Sequence, residues 1–259
     1  MSEYGIEIRW LSVTCFEMRF GGTTVVSDPF VTDNENSPLS GKGIDACDII
    51  TLSHAHWDHI TDIPELLERF RPLLLCGPMT ALPLNDWLDY DPMLIYPMEH
   101  NLELNFGEVR IRALFGKHTD LKKKESVLQE SFRNNPLCAD KKILALQKAG
   151  SMEYRNYLFT AENGTKVLLW GNDPTVSQRN LLSELRPEVA ILQLSIQDPE
   201  EMAEFAAGIG CRVLIPHHLD LRTGPEGYMH KVRALEEAFI RRVPDGRFIC
   251  PVHGERIRL

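Results

Sequence analysis

Apolar positions in the first thirty residues fall in short alternating runs, not in helical stripes. Residues 6–11 form one short run, residues 15–20 alternate apolar with polar side chains, and Gly21-Gly22 separates these from residues 23–27. Period-two alternation around a glycine turn predicts paired β-strands. Asp28-Pro29-Phe30 closes the last of them, and residues 32–43, rich in Asn, Ser, Pro and Gly, read as a loop. Residues 48–52 form a short β-branched run of the kind a buried strand carries. A helix is expected after Asp62 as N-cap, with Pro64 in its first turn. A strand at 73–76, a helix at 79–88 and an alternating strand at 108–115 follow. The last runs directly into Gly116-Lys117-His118.

Residues 120–150 change character. They are charged, helix-prone and interrupted at Asn134-Asn135-Pro136, and read as two inserted helices. Strands resume at 157–160 and 166–170 around a turn at Asn163-Gly164. Beyond them, strands at 189–194, 212–215 and 247–250 alternate with helices at 199–207 and 225–241, and a last strand is expected at 256–259. No repeat or linker divides the pattern. It predicts one domain over residues 1–259, of α/β (α+β) class, with a helical insertion at about 119–153.

Composition narrows the setting. The formal net charge of −9 repels phosphate backbones, so no nucleic-acid partner is expected. The densest positive cluster, Lys122-Lys123-Lys124, reads as a solvated helix face. Six cysteines without a C-x-x-C pair lie mostly in apolar stretches, as reduced thiols do. No basic-then-apolar leader and no membrane-length apolar run is visible, so a cytoplasmic protein without a membrane partner is expected.

The chemistry concentrates in His54-Ala55-His56-Trp57-Asp58-His59, directly after a strand. His54 and His56 are two apart and point the same way on extended backbone. Asp58 and His59 are then free to face elsewhere, which suits two adjacent metal ions. The chain holds only nine histidines, so three within six residues is a concentrated signal. His100 and His230 read as surface residues.

His54-x-His56-x-Asp58-His59 resembles the signature of the metallo-β-lactamase superfamily. The resemblance implies a four-layered αββα sandwich with a metal site on loops at one edge. It also implies a later His, a later Asp and a final His, each after a strand. His118, Asp173 and His217-His218 stand in those places. By the same resemblance, His54, His56 and His118 would hold one metal and Asp58, His59 and the final His a second, with Asp173 bridging. Two divalent ions are implied, zinc first, with manganese or iron as alternatives. Water activated between them would be the nucleophile, and Asp58 would accept its proton.

Within the superfamily the chain looks closest to the branch containing L-ascorbate-6-phosphate lactonase. Asp28-Pro29-Phe30 matches the end of that branch's opening hairpin, and its final His stands two positions beyond a Pro, here Pro216. This selects His218 over His217. His253, in Pro251-Val252-His253-Gly254-Glu255, resembles a motif of the β-CASP ribonucleases and is a third candidate, although the segment reads as a turn. Asp28 is expected to hydrogen-bond the metal loop's backbone. Ser12-Val13-Thr14-Cys15 departs from the branch, which puts its substrate in doubt here.

The implied function is hydrolysis of a small ester, lactone or phosphodiester, a sugar-phosphate lactone among them, with Asp58 and His218 as catalytic residues. A nuclease or lipid phosphodiesterase of the same fold, and a non-catalytic metal-binding protein, are the alternatives. The insertion is expected to form either a lid or a homo-oligomer contact. As a lid, its Lys117, Lys122, Lys123, Lys124 and Arg133 would meet an anionic small-molecule substrate.

Overall fold

The computed structural model describes residues 4–118, 134–221 and 223–259. Two seven-stranded sheets carry the described chain. One runs β14 (Arg256–Arg258), β1 (Ile6–Ser12), β2 (Cys15–Phe20), β3 (Thr23–Ser27), β4 (Ile49–Thr51), β5 (Leu73–Cys76), β6 (Ile95–Pro97), and the other β13 (Arg247–Phe248), β12 (Val213–His217), β11 (Val189–Gln193), β10 (Lys166–Trp170), β9 (Tyr154–Ala161), β8 (Val109–Gly116), β7 (Glu103–Asn105).

The opening meander forms as its alternation dictates. In β1 (Ile6–Ser12) and β2 (Cys15–Phe20), Ile6 pairs with Phe20, Ile8 with Met18 and Trp10 with Phe16. All six side chains are buried on one face. That face meets the second sheet, where β8 (Val109–Gly116) and β9 (Tyr154–Ala161) pair Ile111 with Phe159 and Ala113 with Tyr157. The rings of Phe20 and Phe159 touch across the interface with centroids 5.8 Å apart. Full burial of side chains this size contributes roughly 1.5–3 kcal/mol each.

The next strands bury both faces. In β3 (Thr23–Ser27), β4 (Ile49–Thr51) and β5 (Leu73–Cys76), Val25, Ile49 and Leu75 point into the core between the sheets. Their neighbours Val26, Ile50 and Leu74 point outward to a second core. Helices α2 (Ile63–Phe70) and α3 (Pro78–Leu88), which follow the short α1 (Trp57–Ile60), cover that outer core with Ile63, Leu66 and Leu84. This double burial is why Ile49 and Ile50 stand side by side without apolar–polar alternation. On the far side, α5 (Val176–Leu185), α6 (Pro199–Gly208) and α7 (Met229–Arg242) cover the second sheet with Leu182, Phe205 and Leu235. The order of layers is helix, sheet, sheet, helix, as the αββα expectation required.

Chemistry-bearing segments leave the carboxyl ends of parallel strands, where α/β folds commonly bind ligands. Residues 54–59 follow β4, which is parallel to β3 and β5. Residues 171–173 follow β10 (Lys166–Trp170), parallel to β11 (Val189–Gln193). β12 (Val213–His217), also parallel to β11, ends at His217.

Several elements differ from the sequence reading. β12 runs through Pro216 to His217, because Leu192 and Gln193 still pair with it. The strand expected at 247–250 shrinks to β13 (Arg247–Phe248). The edge strands β6 (Ile95–Pro97) and β7 (Glu103–Asn105) are too short to carry a pattern and were not expected. Asp62 stands at the N-cap of α2 without capping it. Its carboxylate accepts instead from the amides of Val31 and Thr32 at 2.5 and 2.9 Å, which fixes the loop after β3. Of the two inserted helices, α4 (Lys141–Met152) is present and built into the body of the protein, with Leu146 in the outer core. Residues 119–133, with Lys122, Lys123, Lys124 and Arg133, lie outside the described residues. All six cysteines are free thiols. Among the described residues, no helix is long and apolar enough to cross a membrane.

Candidate metal centre

The loop after β4 is anchored before its first histidine. Ser53 N donates to Asp28 Oδ1 at 2.7 Å. Asp28 itself sits at φ 40°, a conformation L-residues rarely hold without a compensating contact. From this anchor the backbone turns His54 and His56 toward one point, with His54 Nε2 3.1 Å from His56 Nδ1. His118, two residues beyond β8, brings its ring to 4.4 Å from that of His54 and 4.5 Å from that of His56. One nitrogen from each of the three lies within 4.8 Å of the others.

Asp58, His59 and His218 form a second group under the same 4.8 Å limit. The groups adjoin, since the rings of His54 and His59 are 4.0 Å apart. His218 reaches its place because the chain turns left-handed on leaving β12, at φ 64°, with its N–H bonded to Val13 O at 2.9 Å. His217 faces the other way. Its Nε2 lies 3.1 Å from Trp170 O, and its ring meets Phe16 edge-on at 6.0 Å.

The partners of the histidines set which ring nitrogens face one another. His54 Nδ1 lies 3.0 Å from Ser53 Oγ, and His56 Nε2 lies 2.9 Å from Ser151 Oγ. With those nitrogens engaged, His54 Nε2 and His56 Nδ1 are left facing each other. His59 Nδ1 lies 3.1 Å from Asp28 Oδ2, while its Nε2 faces Asp58 Oδ2 at 3.7 Å.

Burial, reinforced by neighbouring imidazoles, pushes His54 and His56 well below the usual histidine range. Burial and His59 lower His118 to about 4. Burial outweighs the attraction of Asp58 and lowers His218 to about 3. His59 is the exception: burial opposes its charge, but Asp28 and Asp58 overcome it and raise its pKa. At neutral pH the four lowered rings are uncharged, the state a metal requires of its imidazole ligands.

The structure does not bring Asp173 to either group. Asp173 is exposed and lines a separate hollow with Trp170, Arg179 and Phe205. At this strand end it is Asn172, at φ 69°, that carries a buried side-chain nitrogen, Nδ2, without a hydrogen-bond partner among the described residues. His253 also stays apart. Its Nε2 bonds Asp220 Oδ2 at 2.8 Å, and its ring stacks on Trp10 at 4.1 Å. Asp220 is fully buried and also accepts from Val13 N and Asn34 Nδ2, both at 2.9 Å. This network holds Val13, whose carbonyl receives the His218 amide. His100 and His230 are exposed.

Several participants were missed in the sequence. Tyr154 opens β9 opposite Gly116, with its ring 4.9 Å from that of His54 and its hydroxyl bonded to Ser53. A Cβ at Gly116 would lie 2.5 Å from Tyr154 Cδ1, and one at Gly171 2.1 Å from its hydroxyl, so two glycines make room for this ring. Ser53 is next to the cluster in sequence and could have been singled out. Gln147 and Ser151 carry no local signal, because they reach the loop only through packing of α4.

The donor set fits divalent metal ions. Each group offers three nitrogen or carboxylate ligands close enough to share one ion. His218 Nδ1 is buried without a partner among the described residues, and a bound ion would offset the cost of such burial.

Comparison with known proteins agrees with this picture. A family profile described as a beta-lactamase superfamily domain matches residues 7–218. A UPF0173 metal-dependent hydrolase of Listeria innocua is 26% identical over 221 residues, covering 82% of this chain and 85% of the relative. Among solved structures, Igni18, a metallo hydrolase from the archaeon Ignicoccus hospitalis, superposes with a TM-score of 0.70 at 15% identity, covering 97% of each chain. An isothiocyanate hydrolase from Delia radicum gut bacteria gives 0.65 at 13% identity, covering 98% of this chain and 99% of its own. At these identities the structural likeness is one of fold.

Proposed function

The chain belongs to the metallo-β-lactamase superfamily, and from that premise we propose that it is a metal-dependent hydrolase working with two divalent ions, zinc first among them. The observation that carries the reading is the meeting of two three-ligand groups, drawn from three segments spread between residues 54 and 218, on either side of the His54–His59 contact. His54, His56 and His118 would hold one ion, and Asp58, His59 and His218 the other. Such a pair supplies an activated water and polarises the oxygen of the bond under attack.

The protein's own groups supply the rest. Asp58 stands at the edge of the centre with its side chain 13% exposed, the position from which a carboxylate can take a proton from water. Asp28 and Ser53 hold the loop that carries four of the six ligands. Asp58 is the only carboxylate among those six. The loaded centre is therefore strongly positive and favours a substrate whose anionic or electron-rich oxygen neutralises it. This supports a small ester, lactone or phosphodiester, a sugar-phosphate lactone included. The acidic overall charge weighs against nucleic acid as substrate.

The test is metal analysis of protein purified without added metal, followed by assay of the loaded protein on a panel of lactones, esters and phosphodiesters. Two ions per chain and turnover abolished in His118→Ala and His218→Ala are expected. A wild-type protein that takes up no divalent ion sinks the reading. Full loading without turnover on any class would leave a metal-binding protein without hydrolysis.

A further inference from the structure

Helix α4 touches the metal loop through one face. Gln147 is fully buried there, and both ends of its amide are used on loop backbone. Its Oε1 accepts from Trp57 N at 2.8 Å, and its Nε2 donates to Ala55 O at 3.2 Å. One turn later, Ser151 Oγ donates to the main-chain oxygen of Gln147 at 2.9 Å and faces His56 Nε2 at 2.9 Å. The same main-chain oxygen also bonds the His56 ring. Gly150 permits the approach: a Cβ there would lie 2.8 Å from Ala55 N and 2.9 Å from both Ala55 C and His56 Cδ2.

The hydrogen inventory is decisive. A carbonyl oxygen only accepts, and the Ser151 hydroxyl has spent its proton on that carbonyl. Ser151 Oγ therefore demands a proton on His56 Nε2, and the Gln147 carbonyl demands one from the same ring. A neutral imidazole carries one, so Nδ1 carries none, and Nδ1 is the nitrogen that faces His54 Nε2 at 3.1 Å.

We infer that helix α4 is the positioning element of the first metal pocket: its Gln147–Ser151 turn fixes the tautomer and the direction of His56, and Gln147 clamps the peptide on either side of it. The inference rests on the metal reading above for its consequence, but the tautomer itself can be seen in metal-free protein. The segment expected to form a lid or a homo-oligomer contact thus ends in a support for the ligands, and Ser151 and Gln147 are positioning residues, not ligands.

The experiment has two arms. Nitrogen-15 NMR of the imidazoles in metal-free protein reports the tautomer, and His56 is expected with its proton on Nε2. Zinc affinity is then measured by chelator competition in a His218→Ala background, which leaves only the first pocket. Ser151→Ala is expected to weaken binding about 10-fold and Gly150→Ala about 100-fold, the range typical of lost support to a ligand. Ser151→Thr, which keeps the hydroxyl, should stay within about threefold of the background. Gly→Ala raises helix propensity by about 1 kcal/mol, so a loss in Gly150→Ala cannot come from a weaker helix. In a His118→Ala background, which leaves the second pocket, the same changes should move affinity by less than about threefold.

A proton on His56 Nδ1 overturns the inference, as does unchanged first-pocket affinity in both Ser151→Ala and Gly150→Ala. If the wild type binds no metal, the functional reading falls and the NMR arm still decides the inference. If the wild type binds two ions and the variants bind as tightly, the inference falls and the functional reading stands.

Discussion

Asp28 Oδ2 lies 3.1 Å from His59 Nδ1, while Oδ1 of the same carboxylate accepts from Ser53 N at 2.7 Å. One buried carboxylate thus fixes both ends of the loop, the backbone before His54 and the ring of His59. Asp28→Asn removes the charge while keeping a residue type that tolerates its positive φ. Zinc affinity at the second pocket, measured at pH 8, is expected to fall about 10–100-fold, with a smaller change at the first. Equal affinity at both pockets in variant and wild type would remove Asp28 from the ligand support.

The metal-free protein should lose stability as pH falls below the ordinary histidine range. His118 and His217, both lowered to about 4 chiefly by burial, and His218, lowered to about 3, stay neutral in the fold while the unfolded chain takes up protons. The unfolded state then binds more protons, so stability present above about pH 6.5 drains away toward pH 4. His59 has the opposite sign, because its raised pKa stabilises the fold below pH 6.5, and it offsets part of the loss. Thermal melting of chelator-treated protein from pH 7.5 to 4 checks this, and a midpoint that rises on acidification contradicts it.

The adjacent histidines should separate cleanly. His218→Ala is expected to lose one of two ions. His217→Gln should keep both and lose stability, since His217 is wholly buried between Trp170 O and Phe16. Metal content and melting midpoint of the two variants tell them apart, and the reverse assignment would exchange the two results.

Asp173→Ala should retain two ions per chain, because that carboxylate is exposed and belongs to neither ligand group. Loss of an ion in this variant would restore the bridging role that the resemblance implied.

His253→Ala should destabilise the protein without emptying a metal pocket. It strips Asp220, fully buried, of one of its three partners and removes the stack on Trp10. The cost expected for a buried group left short of a partner is about 1–3 kcal/mol. Urea denaturation measures it, and an ion count of two in the folded variant completes the test.

The sequence by itself determined the layers and the first half of the site. Alternation in β1 and β2 and the apolar run of β4 are local consequences of which faces are buried, so they are written into neighbouring residues. His54, His56, Asp58 and His59 are equally local, since one loop carries all four. Pro216 and the strand before it located His217-His218, but choosing between them took the left-handed turn at His218 and the Trp170 carbonyl beside His217. Tertiary structure alone decided what depends on distant partners: that Asp173 is exposed and joins neither ligand group, that His253 holds Asp220, and that α4 docks on the metal loop through Gln147 and Ser151. Those relations depend on where packing sets a backbone down, and no spacing along a single chain encodes the contact of residue 56 with residue 151.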